Sequence, residues 1–144
     1  MVCFDMPAIL PRRLRIPPMP FTAKLFLALG AAAAALGVVL GAFGAHALKA
    51  RLGADMLSVW QTGVQYHLWH ALGIVAVGVL AFHLPGSAPL KWAGWLMLAG
   101  IVLFSGSLYI LAASGVRWVG AITPFGGGCF IAGWLVVAYA VLRD

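Results

Sequence analysis

Glutamate is absent from this 144-residue sequence, and aspartate occurs only at positions 5, 55 and 144. Charged side chains make up 8% of the chain, against roughly 25% in an ordinary soluble domain. The long apolar stretches hold no acid at all, which argues against a proton-coupled pump or small multidrug exporter, since these commonly rely on an intramembrane carboxylate. Two cysteines, Cys3 and Cys129, make neither a disulfide framework nor a metal-binding spacing. No GKS/T loop, nucleophile elbow, HExxH or CxxC is present, so no catalytic residue is expected and the chain reads as a non-enzyme.

Hydrophobic residues account for 64% of the chain and mean hydropathy is +1.05, the composition of a membrane protein. Nine Lys and Arg against three acids give +6. Four of the nine (Arg12, Arg13, Arg15, Lys24) precede the first apolar stretch and none interrupts one, so they flank a membrane rather than form a nucleic-acid patch. Nearly all of the chain is needed to cross a bilayer, which leaves no room for a separate soluble domain.

Residues 25–45 carry no charged or polar side chain, and as a helix they span about 31 Å, enough for a hydrocarbon core of about 30 Å. Residues 55–83 read as one long helix whose first turns are amphipathic, with Ser58, Gln61, Thr62 and Gln65 on one face and Trp60, Val64, Leu68 and Ala71 on the other. Pro85, Gly86 and Pro89 mark a turn, Lys91, Trp92 and Trp95 anchor a third helix, and Thr123-Pro124 has the order of an N-cap followed by a first-turn proline. The expectation is an all-α membrane protein: an up-down-up-down antiparallel bundle of four transmembrane helices at about 25–46, 55–83, 91–113 and 123–142. Residues 24–144 form this single domain, and residues 1–23 a mobile Pro/Arg-rich tail.

Basic residues on alternate sides favour both termini in the cytoplasm of a bacterial inner membrane, with six basic residues inside against Lys49, Arg51 and Arg117 outside. A start at Met19 would reduce that to a tie. The first apolar run is too long for the usual signal-peptide core of about 7 to 15 residues, although Ala45-His46-Ala47 imitates a cleavage site.

Gly30, Ala34, Gly37, Gly41 and Gly44 stack on one face of the first helix, while Gly100 in the third and Gly126 and Gly133 in the fourth repeat the device. Tight packing within one bundle accounts for them better than a homodimer face. GAFGAHALKARL (41–52), WQTGVQYHLWHAL (60–72), LFSGSLYIL (103–111) and ITPFGGGCFIAGW (122–134) closely resemble the small bacterial inner-membrane family known as domain of unknown function number 423, whose eukaryotic relative is transmembrane protein 256. The resemblance covers about residues 25–142 and implies a four-helix membrane protein with no established activity, substrate or cofactor.

Three imidazoles, His46, His67 and His70, with Tyr66, Gln61 and Gln65 beside them, are positioned to converge near one rim, where such a cluster would bind metal, grip a haem edge or hydrogen-bond a quinone. The plainer reading is structural, with His67 on the apolar side bonded to a carbonyl, and no cofactor is expected. Ser105, Ser107 and Tyr109 place hydroxyls in the third helix, where back-bonding or a cross-helix bond to a histidine satisfies them. Arg117, Thr123, Gly126 and Gly127 outline a candidate anion or lipid contact at the start of the fourth helix, although close crossing by the first or second helix is the preferred account of the glycines.

The leading expectation is thus a non-catalytic accessory, scaffold or lipid-organising subunit, with the bilayer and a larger membrane complex or a homo-oligomer as partners and no nucleic acid. The rivals are a redox accessory built on the histidine rim and a small-solute channel or carrier.

Overall fold

A computed structural model describes residues 18–143, so the first seventeen residues of the expected tail lie outside the described residues. Four helices are long and apolar enough to cross a membrane, and no described residue is in a strand. We label them α1 (Phe21–Leu48), α2 (Ala54–His83), α3 (Ala88–Ser114) and α4 (Thr123–Arg143), the last entered through a 3-10 turn at Arg117–Ile122.

Two boundaries move outward from the sequence expectation, each for a local reason. Residues 21–23 belong to α1 rather than to the tail, because Lys24 closes the first turn by donating its amide to the Pro20 carbonyl (3.1 Å) and Ala23 and Phe26 are fully buried. Helix α3 begins at Ala88 rather than near Lys91, since Pro89 occupies the first turn, where its missing N–H would have had no partner in any case. The C-terminus of α3 is set by Gly115, whose φ of +71° suits a residue without Cβ and whose amide bonds the Leu111 carbonyl at 2.9 Å.

Thr123 is not an N-cap. Its backbone is already helical and the 3-10 turn runs straight into α4, so no free helix end opens at this point.

Small residues decide how the helices meet. Along the first pair, Gly30 faces Val75 and Ala71, Gly37 faces Leu68, Gly41 faces Val64 and Gly44 faces Trp60, so α1 descends as α2 ascends. A Cβ on Gly30 would come within 2.7 Å of the Val75 amide nitrogen, which no side chain tolerates without the helices parting. Along α2 and α3 the order also reverses, with Gly63 against Leu108 and Tyr109 and Gly73 against Met97. Between α3 and α4, Gly126 abuts the Phe104 backbone, Gly100 receives the Phe130 ring and Gly133 meets Met97.

Helix α2 is the hub: it packs on α1 and α3 along its length and reaches α4 through aromatic side chains. Helix α1 is peripheral: only 17% of its apolar 18-residue stretch is buried, the smallest share among the four. Two short π-helical turns interrupt the regular winding, Gly44–Leu48 at the end of α1 and Ile101–Ser105 midway along α3. The core has two parts. The larger gathers Phe26, Ile74, Val77, Leu90, Met97 and Phe130 toward the 84–87 connection, and the smaller joins Leu48, Trp60 and Ala112 at the opposite end.

Candidate functional site

The chemistry-bearing residues lie on two sides of α2. On its inner side His67 and His70 are buried, at 3% and 5% exposure, and on its outer side Gln61 and Gln65 are exposed. The helical period produces this division directly, since 67 and 70 share a face with Trp60, Gly63, Ala71 and Ile74, whereas 58, 61 and 65 lie opposite.

Within the inner seam each imidazole has a defined partner. His70 Nδ1–H donates to the Tyr66 carbonyl at 2.7 Å, and because a carbonyl only accepts, the proton of the neutral ring is on Nδ1 and the lone pair on Nε2. The ring stacks face to face on Phe130 of α4, with centroids 3.4 Å apart and planes at 11°. His67 Nδ1 shares a hydrogen bond of 3.3 Å with the Tyr109 hydroxyl of α3. Its Nε2 is buried without a partner; the Ala33 carbonyl of α1 lies near the ring but outside hydrogen-bond geometry for that nitrogen.

Tyr66 contributes its ring, stacked on Phe104 at 4.5 Å, and Tyr109 also packs against Trp60 at 4.7 Å. Trp60 in turn donates Nε1–H to the Leu40 carbonyl of α1 at 3.0 Å. Imidazole, phenol and indole thus tie α2 to its neighbours.

The serines of α3 behave differently from one another. Ser107 donates to the Phe104 carbonyl at 2.9 Å and lies 2.8 Å from the Thr123 hydroxyl of α4. Ser105 is wholly buried and its hydroxyl has no partner. It sits in the π turn, where the Gly106 amide donates to the carbonyls of Leu103 and of Ile101, the ordinary back-bonding target of Ser105.

The outer side of α2 borders an open groove of about 640 Å³ lined by Gly41 and Ala45 of α1 and by Ser58, Trp60, Gln61, Thr62, Val64, Gln65 and Leu68. Thr62 bonds back to the Ser58 carbonyl at 3.0 Å, whereas the two carboxamides stand exposed on the groove wall.

The expected convergence of three imidazoles does not occur. His46 is exposed on the terminal π turn of α1 while His67 and His70 point inward, and among the described residues no three His, Cys, Asp or Glu side chains assemble into a group able to hold a metal ion. Gln61 and Gln65 are likewise separated from the imidazoles, because they occupy the opposite face of α2. The expected anion contact is also dispersed: Thr123 is engaged by Ser107, Gly126 is pressed on Phe104, Gly127 sits within the continuing helix, and Arg117 is exposed. The Gln61/Gln65 stripe signals the open groove in the sequence, whereas nothing there signals the π turn in which the Ser105 hydroxyl is left without a partner.

Comparison with known proteins matches these motifs to a family. The family model described as protein of unknown function (DUF423) matches residues 40–127, more than half of the chain. The chain is 52% identical over 120 residues to the UPF0382 membrane protein YwdK of Bacillus subtilis, covering 83% of this chain and 98% of that one. It is 47% identical over 120 residues to a UPF0382 membrane protein of Staphylococcus haemolyticus, covering 83% of this chain and 97% of the relative. No solved structure matches. With four membrane-length helices, a glycine-packed bundle and relatives matched over almost their whole length, this chain belongs to the DUF423 family of UPF0382 membrane proteins.

Proposed function

We propose that this protein is a non-catalytic scaffold of the bacterial inner membrane that works by binding lipids and neighbouring membrane proteins, its four helices threading the bilayer up-down-up-down with both termini in the cytoplasm. One observation carries the reading: the buried polar groups face other helices, as His67 faces Tyr109, His70 faces Phe130, and Ser107 faces Thr123, while the open groove offers uncharged amides and hydroxyls with no acid or base beside them. A site arranged for acid–base or covalent chemistry would bring a titratable group and a reacting partner together in a cleft. The redox rival loses its third ligand with His46 on the outside of α1, and the dispersed imidazoles suit bridging better than metal or haem binding.

Purification of the tagged protein at native level in mild detergent, with mass spectrometry of whatever co-migrates and an optical and metal analysis of the same sample, tests this. Companion membrane proteins or bound lipid in fixed ratio are expected. A chain isolated alone with stoichiometric metal or a visible chromophore would overturn the reading.

A further inference from the structure

The depth of the outer groove is fixed by its neighbours. Val64 packs on Gly41 and Leu68 on Gly37, so Gln65 lies level with residues 37–41 of α1, inside the uncharged run that ends at Ala45. At about 1.5 Å per residue this sets the Gln65 carboxamide roughly 8 Å below the end of that run. Gln61, beside Trp60, which packs on Gly44, lies near the edge. An exposed carboxamide at hydrocarbon depth is costly unless something supplies hydrogen-bond acceptors there.

Polarity along the groove is graded. Leu68 lines its deep end, Gln65 and Val64 its middle, and Thr62, Gln61 and Ser58 its shallow end. The connection 49–53, which joins the two helices that form the walls, carries exposed Lys49 and Arg51. Arg117 stands at the same rim, where Asp55 is the sole described acid.

We infer that this groove is a binding site for one anionic phospholipid, with an acyl chain running inward past Leu68, ester carbonyls accepting from the Gln65 and Gln61 amides, and the phosphate drawn to Lys49 and Arg51. The sequence of apolar, uncharged-donor and cationic surface follows the order in which a phospholipid presents chain, ester and phosphate. A second copy of this chain is a poorer occupant, because it brings to the basic rim a single acid, Asp55, together with its own Lys49, Arg51 and Arg117. The inference deepens the scaffold reading and rests on it, naming the lipid class and the surface.

Native mass spectrometry of the full chain, released from mixed micelles containing chain-matched phosphatidylglycerol and phosphatidylcholine, provides the test. One phosphatidylglycerol per chain is expected, retained roughly tenfold over phosphatidylcholine given the usual attraction of each nearby basic residue for anionic lipid. Gln61→Leu with Gln65→Leu should abolish retention of both lipids, and these exposed positions accept leucine without disturbing the core. Lys49→Gln with Arg51→Gln should leave retention in place and erase the preference. Equal retention of the two lipids by the unmodified chain, or unaltered retention in the double leucine variant, overturns the inference. So does a dimer that the leucine pair dissociates, which would assign the groove to a second copy. If companion proteins still co-purify while selective lipid retention fails, the lipid site is refuted and the scaffold reading stands.

Discussion

Toward the 84–87 connection, Phe26, Ile74, Val77, Leu90 and Met97 interlock with no exposed surface, and the Phe26 ring fills the space left by Gly94. Toward the 49–53 connection the residues between the helices are Trp60, Tyr109 and His67, joined by directional bonds, with an open groove beside them. The first end is specified by shape alone. The second is specified by polar pairs, and buried polar atoms without a partner occur on both sides of the division, at His67 Nε2 and Ser105 Oγ and, in the 84–87 connection, at Ser87 Oγ. Since lipid solvates leucine as well as another helix does, shape and directional bonds are the means by which a membrane bundle acquires a unique structure. The contrast sets a sealed end packed by shape against an end of polar pairs beside an open groove.

The largest expected effect is steric. Gly126→Leu places a Cβ against the Phe104 backbone, where no rotamer relieves it, so α3 and α4 must separate. The loss should equal or exceed the upper end of the roughly 1–3 kcal/mol typical of overpacking. Thermal loss of the monodisperse peak in size-exclusion chromatography reads it. A variant that melts with the parent would show that the small-residue contact is dispensable.

Phe26→Ala tests the sealed end by cavity formation. Phe26 is fully buried against Trp95 and Gly94. The unfolded reference state in a membrane keeps the ring in lipid, so the cavity term dominates over transfer, and a loss of about 2 kcal/mol is expected. Unfolding titrations in mixed micelles measure it, and an effect no larger than that of an exposed Val38→Ala change would deny the sealed end its structural role.

Much of this division was legible in the sequence. The glycine series at 30, 37, 41 and 44 marked the α1–α2 seam because the helical period puts those positions on one stripe, and the amphipathic spacing of Ser58, Gln61 and Gln65 marked the groove wall. Helix ends were less legible, since Pro89 and Thr123 have meanings that depend on what precedes them: a first turn for one, a continuing 3-10 turn for the other. Side-chain partners were the least legible. His46, His67 and His70 look equivalent as letters, yet which imidazole meets a phenol, a phenylalanine face or the outside depends on rotations between helices that no local pattern encodes.

The two serines of α3 sharpen the comparison at a smaller scale. Ser107→Ala removes hydrogen bonds to Phe104 and Thr123 and leaves the Thr123 hydroxyl short of a partner, which should cost about 1 kcal/mol. Ser105→Ala removes a buried hydroxyl that has none, so the same chemical change should stabilise by about 1 kcal/mol. Opposite signs in parallel unfolding titrations are the expected result. Equal destabilisation would mean that Ser105 is hydrogen-bonded after all.

The smallest effect concerns the pair that links the hub to α3. His67 and Tyr109 are joined at 3.3 Å, a long hydrogen bond, and polar contacts between membrane helices are worth about 0.6 kcal/mol on average because the unfolded state finds other partners. A double-mutant cycle with His67→Phe and Tyr109→Phe preserves ring volume and isolates the bond. A coupling of about 0.6 kcal/mol is expected, together with a single-variant asymmetry. Tyr109→Phe leaves both nitrogens of a buried imidazole without a strong partner, whereas His67→Phe removes the whole demand and leaves only a phenol hydroxyl, on a residue that is half-buried. Tyr109→Phe should therefore be the more damaging of the two, and the double variant should recover part of its loss. A cycle that closes to zero would place the specificity of this end in the Trp60 ring and its Leu40 bond, and reduce the His67–Tyr109 contact to proximity.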